Sequence, residues 1–390
     1  MDIMIAQTRK AVGLLGTSDG RKQLKRSVAR RLREQFMYPI ARMTGGHNPF
    51  APVKIAIEPT NRCNLKCEFC ARLYWDEADN PEDDIPIELF EKIEPLLEKS
   101  PKVILQIFGE PLMGKAFFNM LERIKQNYDC HVGFNTNGIL LHRRNAERLV
   151  RLGADEVYVS IDGTDAFKEI RGIPIKSMVR NINILNEVKA ELGSTKPDVG
   201  IAMVAMKKNV HETADLVDVA ASLGIKHMWV AHMEAHADYL IDELLFNHVE
   251  LARTHFDIAK ARAKEVGVDL FLPPLEKTEY FCDQPFNTMW INWDGAVRPC
   301  CRAVYANTID IGNLYESSWE EIWNSQAMKD LRMSLLTGEG MIEFCEKCSH
   351  RVLCKDHLVR ILPRGNAEEG RPTEAATLDQ ETQAEVQMNA

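Results

Sequence analysis

The chain has 390 residues, more than one minimal core needs, and its 45% hydrophobic and 27% charged residues are a globular balance. A formal net charge of −9 argues against nucleic acid as the main partner. No apolar run approaches the roughly 20 residues of a membrane helix, and the opening MDIMIAQTRK lacks the apolar core of a secretion signal, so a cytoplasmic location is expected. In a reducing cytosol, clustered cysteines point to metal binding or catalysis rather than disulfides.

The first 45 residues hold ten Lys/Arg against Asp2, Asp19 and Glu34. Residues 21–43 read as a basic amphipathic helix with Leu24, Val28, Leu32 and Phe36 at four-residue steps. Its stripe is expected to pack on the main body; contact with an anionic membrane surface or an acidic partner is the second option. Apolar strands follow at 53–59, 102–109, 131–138, 156–163, 199–206 and 226–232. Helical segments at 88–99, 117–127, 144–153, 179–193 and 212–224 separate them. This alternation predicts βα crossovers and a parallel sheet, with strands apolar enough to be covered on both faces. Six such units suggest an α/β fold, a partial (β/α)6 TIM-like barrel with chemistry at the C-terminal strand ends.

The chemistry-bearing residues fall at those ends. Cys63 follows the first strand, Gly109-Glu110-Pro111 the second, and Asn135-Thr136-Asn137-Gly138 closes the third. Ser160 to Gly163 close the fourth and His232 the sixth. His232, Glu234, His236 and Asp238 are read either as lining a substrate opening, with His232 as a proton acceptor, or as part of a polar lid helix on YLIDELLF.

Beyond residue 273 the texture changes. Two short strands flank the turn Asp294-Gly295, and Ser318 with Glu321 opens a helix over 317–336 in a capping-box pattern. From Pro363 the tail has almost no bulky apolar residues and is expected to be disordered. The division is therefore a basic helical extension (1–48), the barrel (49–272), a small cysteine-rich α+β domain (273–362) and a tail (363–390).

Cys63, Cys67 and Cys70 stand in a C-x-x-x-C-x-x-C spacing. Three thiolates on so short a loop suit one face of an iron–sulfur cube with its fourth iron open. Zinc would want a fourth Cys or His nearby, and the loop has none. The loop resembles that of the radical S-adenosylmethionine (SAM) superfamily, C-x-x-x-C-x-aromatic-C, with Phe69 as the aromatic. The resemblance implies a 4Fe-4S cluster that binds SAM and, on reduction by a flavodoxin or ferredoxin-type donor, yields a 5′-deoxyadenosyl radical. Gly109-Glu110-Pro111 resembles the family's GGEP motif, which holds the methionine amine, with Phe108 in place of its first glycine. By the same resemblance, Asn135 and Asn137 line the cofactor site, Ser160 and Asp162 face the ribose, Arg171 pairs with the methionine carboxylate and Met203 cradles the adenine.

The later cysteines resemble a SPASM auxiliary iron–sulfur domain. Cys282, Gly295 and Cys300 match its opening, and Cys345, Cys348 and Cys354 its C-x-x-C-x₅-C run; Leu358 stands where the family has a further cysteine. One auxiliary 4Fe-4S cluster is expected, possible second cluster aside, held by Cys345, Cys348, Cys354 and one of Cys300 or Cys301; a zinc knuckle is the alternative. Cys301 is read as a packing residue, a ligand or a hydrogen donor to the substrate. The implied activity is oxidoreductase-type: hydrogen abstraction from an unactivated C–H bond of a small-molecule or carrier-borne substrate, by oxidation or epimerisation. A peptide- or protein-modifying maturase, and a non-catalytic iron–sulfur protein, are the alternatives.

Overall fold

The computed structural model describes residues 33, 35–75, 81–303 and 309–362. The extension 1–48 lies mostly, and the tail 363–390 wholly, outside them. Seven parallel strands run in chain order: β1 (Lys54–Ile57), β2 (Lys102–Ile104), β3 (His131–Thr136), β4 (Glu156–Ser160), β5 (Asp198–Ala205), β6 (His227–His232) and β7 (Asp269–Phe271). β8 (Thr278–Glu279) stands apart from this sheet. β9 (Thr288–Ile291) pairs parallel with β1, and β10 (Val297–Arg298) pairs antiparallel with β9 around the expected turn. The sheet order β10-β9-β1-β2-β3-β4-β5-β6-β7 leaves it open, a partial α/β barrel. β7, after the helix Val249–Val266, adds a seventh unit to the six expected.

One sheet face carries the core. Val132, Phe134, Val157, Val159, Ile201, Met203, Met228 and Val230 are all buried, each worth about 1.5–3 kcal/mol over exposure. The other face is not sealed as expected: β4 alternates half-buried and buried, Asn135 is exposed and Trp229 is 55% exposed. Ser160, Ala202, Trp229 and Phe271 align in register across this open face.

Three elements differ from expectation for local reasons. β2 stops at Ile104 because the chain then turns towards the cysteine loop, with Gly109 at φ +64. The helix over 317–336 is two helices, Trp319–Trp323 with the Ser318/Glu321 capping box, and Gln326–Thr337 restarted by Ser325. Between them Asn324 is drawn aside to bond Asn48 and Arg332. The expected lid helix is two 3-10 turns, Asp238–Glu243 and Leu245–Asn247. At the N-terminal end, residues 35–43 are helical, and Met37 and Ala41 pack on Phe286, while Phe36 is exposed. The buried stripe there is offset by one residue from the one expected.

Candidate functional site

The loop after β1 is fixed from several sides. Glu110 N–H donates to Arg62 C=O at 2.8 Å, and Glu68 N–H to Ile170 C=O at 3.1 Å. Lys208 Nζ reaches Glu68 Oε2 at 2.8 Å, and Tyr74 hydroxyl meets the Glu68 carbonyl. Gly109 is required: a Cβ there would sit 2.5 Å from Thr60 O and 2.6 Å from Arg62 O. Two donors approach the thiols. Asn137 Nδ2 lies 3.8 Å from Cys63 Sγ, and Arg171 Nη1 lies 3.7 Å from Cys67 Sγ. The Arg171 guanidinium also sits over the Phe69 ring at 5.6 Å.

Burial pushes the Cys63 thiol up to about 12 and Cys67 to about 11. Cys67 adds to the shift at Cys63, and Cys70 adds to that at Cys67. Crowded thiols of this kind ionise when a cation meets them. Among the described residues no His, Cys, Asp or Glu group converges tightly enough for a single ion. A cluster differs, because each thiolate meets its own iron.

The acidic residues beside the loop are engaged internally. Glu110 accepts from Thr136 Oγ1 at 2.7 Å, Asn137 N–H at 2.7 Å and Leu112 N–H at 3.2 Å, and burial raises its pKa to about 7. Asp162 is fully buried; Oδ1 accepts from Val204 N–H at 2.7 Å and Oδ2 from Arg171 Nε at 2.5 Å. It therefore stands behind Arg171 rather than presenting a free carboxylate to a ribose. Ser160 is half-buried on the open face. Met203 is not on that face: strand alternation turns its side chain to the helix-packed side, where it is 1% exposed. That corrects the expectation for its side chain.

Sequence reasoning passed over four residues. Glu58, at the end of β1, is 2% exposed and accepts from Phe108 N–H at 3.1 Å and Trp293 N–H at 3.4 Å. A lone acid closing an apolar strand was the available signal. Glu212 accepts from Thr164 and Ala166 N–H, and Asn209 bonds Asp162 C=O and Val204 C=O at 2.9 Å. Asn64 accepts from Asn137 Nδ2 at 2.7 Å. These three carry no sequence signal, because their partners are distant backbone groups and side chains.

A second cavity is lined by Cys282, Cys300, Cys345 and Cys348, with an apolar shell of Pro285, Pro299, Ile309, Leu331, Leu335 and Phe344. β8 and β11 (Val352–Leu353) pair antiparallel, and Tyr280 N–H donates to Arg351 C=O at 2.7 Å, which brings the Cys282 and Cys348 loops together. Burial raises Cys282 to about 11 and Cys345 to about 12. Four thiols around one dry space fit a single 4Fe-4S cluster. Cys282 lines the cavity, whereas Cys354, beyond β11, does not, although Cys354 and not Cys282 is in the expected ligand set. Cys301 points aside, its Sγ 3.6 Å from His350 Nε2, although Cys348 and Cys282 lie near enough to help burial raise its pKa to about 12.

Between β6–β7 and the C-terminal segment lies a cleft of about 680 Å³, lined by Trp229, Phe271, Tyr280, His232, Glu234 and His350 among others. Trp229 and Phe271 stack at 5.6 Å. His232 Nε2 donates to Pro274 C=O at 2.8 Å and burial lowers its pKa, so it is a neutral ring held by backbone. His236 is buried and bonded to Arg360 C=O at 3.1 Å.

Residues 57–226 match the family model described as the radical SAM superfamily, and residues 282–349 match the SPASM iron–sulfur cluster-binding domain. The chain carries a radical SAM domain followed by a SPASM domain. A radical SAM domain works with a 4Fe-4S cluster and SAM, and a SPASM domain with auxiliary iron–sulfur clusters. Over 319 residues this radical SAM chain is 28% identical to a tungsten-containing aldehyde ferredoxin oxidoreductase cofactor-modifying protein of Pyrococcus furiosus, covering 76% of this chain and 87% of that one. It is 24% identical to PqqA peptide cyclase of Gluconobacter oxydans, covering 78% and 84%. The structure of Streptococcus suis SuiB bound to precursor peptide SuiA superposes with a TM-score of 0.60 at 17% identity, covering 81% of this chain and 72% of that one, a likeness of fold. Among the described residues no helix is long and apolar enough to cross a membrane.

Proposed function

We propose that this radical SAM enzyme modifies a peptide or other carrier-borne substrate at an unactivated C–H bond, with one auxiliary cluster beside the substrate. The peptide-modifying alternative is better supported than a small free substrate, since relatives similar to this chain include a peptide cyclase. The observation that carries the reading is the pairing of two cysteine sites on one sheet with an open, aromatic-walled cleft next to the second. Cys63, Cys67 and Cys70 would hold the SAM-binding cluster, and Cys282, Cys300, Cys345 and Cys348 the auxiliary one. When bound, cluster and SAM supply a carbon radical that takes hydrogen from the substrate.

The chain's own residues orient and seal. Gly109 lets the Glu110-Pro111 loop lie against the cysteine loop, where its backbone would meet the methionine amine. Arg171, braced by Asp162, brings a cation beside Cys67 for the methionine carboxylate. Asn137 orients at Cys63, while Asn135 and Ser160 offer polar groups on the open face. Trp229, Phe271 and Tyr280 give the substrate an apolar wall that sheds water. Electrons would come from a flavodoxin or ferredoxin-type donor.

The test is anaerobic reconstitution, reduction with dithionite and assay for 5′-deoxyadenosine, with and without short peptides co-expressed from the neighbouring reading frames. Deoxyadenosine release that rises with a peptide, and a mass change on that peptide, supports the reading. Release that no peptide stimulates, but a small metabolite pool does, overturns the peptide part.

A further inference from the structure

The loop after β6 meets both cysteine-bearing loops of the auxiliary site through one carboxylate. Glu234 forms an ion pair with Arg302, two residues past Cys300, and Oε1 accepts from Ser349 Oγ, one residue past Cys348, at 3.0 Å. Arg302 is 6% exposed, so its charge sits in a poorly screened place. The carboxylate is held from behind. Ala235 N–H donates to Leu358 C=O, and Arg360 N–H to Ala235 C=O, each at 2.8 Å. Arg360 then returns to the site: Nη1 donates to Arg302 C=O at 3.2 Å, and its guanidinium lies 4.9 Å over Phe344, which walls the four-thiol cavity.

We propose that Glu234 and Arg302 form a charge-balanced clasp that seats the auxiliary cluster against the barrel and sets its reduction potential. The inference rests on the auxiliary-cluster reading above. Reduction adds negative charge to a cluster, so a nearby buried cation favours the reduced state and a nearby anion opposes it. The pair places one of each close to the Cys300 and Cys348 loops, beside Arg351, which lines the thiol cavity itself, so changing either partner alters the field there. This is a positioning and tuning role at the auxiliary site, although Glu234 also lines the neighbouring cleft.

The experiment uses the full chain with Cys63→Ala, Cys67→Ala and Cys70→Ala, so that only auxiliary iron gives a signal. Iron and sulfide are counted after reconstitution, and the potential is read by EPR-monitored reductive titration. Glu234→Gln keeps the hydrogen-bonding shape and removes the anion, so the potential shifts upward. Arg302→Gln shifts it downward, and the double variant returns towards the parent. Single variants that leave the potential unmoved, or move it in one common direction, overturn the clasp. If Glu234→Gln alone loses iron, the double variant decides: regained iron supports the clasp, and continued loss overturns it. A parent chain without auxiliary iron overturns the cluster reading and the clasp together, whereas iron with unmoved potentials overturns the clasp alone.

Discussion

Arg171 Nε donates to Asp162 Oδ2 at 2.5 Å, and this contact aims the guanidinium at the cysteine loop, where Nη1 comes within 3.7 Å of Cys67 Sγ. Asp162 is itself fixed by the Val204 N–H at 2.7 Å. The acid at the end of β4 thus acts through the arginine rather than on a ligand.

Asp162→Asn should therefore weaken SAM binding while leaving the iron content of the first cluster intact. Losing the charged brace of a buried arginine costs about 1.4 kcal/mol for every tenfold in affinity, and roughly a tenfold loss is expected. Calorimetric titration with SAM on the reconstituted protein measures it. Unchanged affinity at full iron content would remove Asp162 from this role.

The auxiliary ligand set is open to a direct count. Cys282→Ala, Cys300→Ala, Cys345→Ala and Cys348→Ala should each deplete auxiliary iron, because their thiols line one cavity. Cys354→Ala and Cys301→Ser should keep it. Iron loss on changing Cys354, with iron retained on changing Cys282, would restore the set expected from spacing.

Much of this was readable in the sequence because local rules govern it. Strand and helix alternation, the glycine that ends Arg143–Leu152 and the Ser318/Glu321 capping box are short-range patterns, and all appear in the structure. The placing of Gly109 beside the cysteines followed from its position after a strand end, and that of Arg171 from the family resemblance alone, since it closes the helix Ala166–Arg171. What the sequence left open was long-range. That Cys282 rather than Cys354 lines the thiol cavity depends on a two-residue pairing of β8 with β11, too short to carry a periodic signal. Met203 needed the sheet register, since a shift of one residue exchanges faces. Glu234 lines the cleft as expected, but its ion pair with the distant Arg302 carried no sequence signal.

Gly109→Ala should damage the first site as a whole. The residue has φ +64, and a Cβ would overlap the backbone of Thr60 and Arg62. The backbone term alone costs about 1–3 kcal/mol. The expected result is a lower melting temperature together with loss of iron from the Cys63 loop. A variant with wild-type melting and full iron would show that the two loops are not locked together.

Glu58 gives a pH dependence whose sign follows from its burial. Burial raises its pKa to about 7, with the Phe108 and Trp293 N–H groups pulling the other way. A carboxyl group whose folded pKa lies above its unfolded value near 4.5 binds its proton more tightly in the folded state. Its effect on stability is therefore flat below the unfolded value and becomes less favourable as pH rises from there to about 7; above that it is constant at its worst. The full difference is about 3 kcal/mol at 1.36 kcal/mol per pKa unit, and other groups titrate over the same window. The measurement is thus a comparison: thermal unfolding of the apo chain between pH 4.5 and pH 8, wild type against Glu58→Gln. The amide stays neutral and keeps an oxygen for Phe108, so the variant should lose less stability than wild type across that rise in pH. Parallel curves for the two proteins would mean that Glu58 is already ionised when the chain folds, with the two N–H groups outweighing its burial.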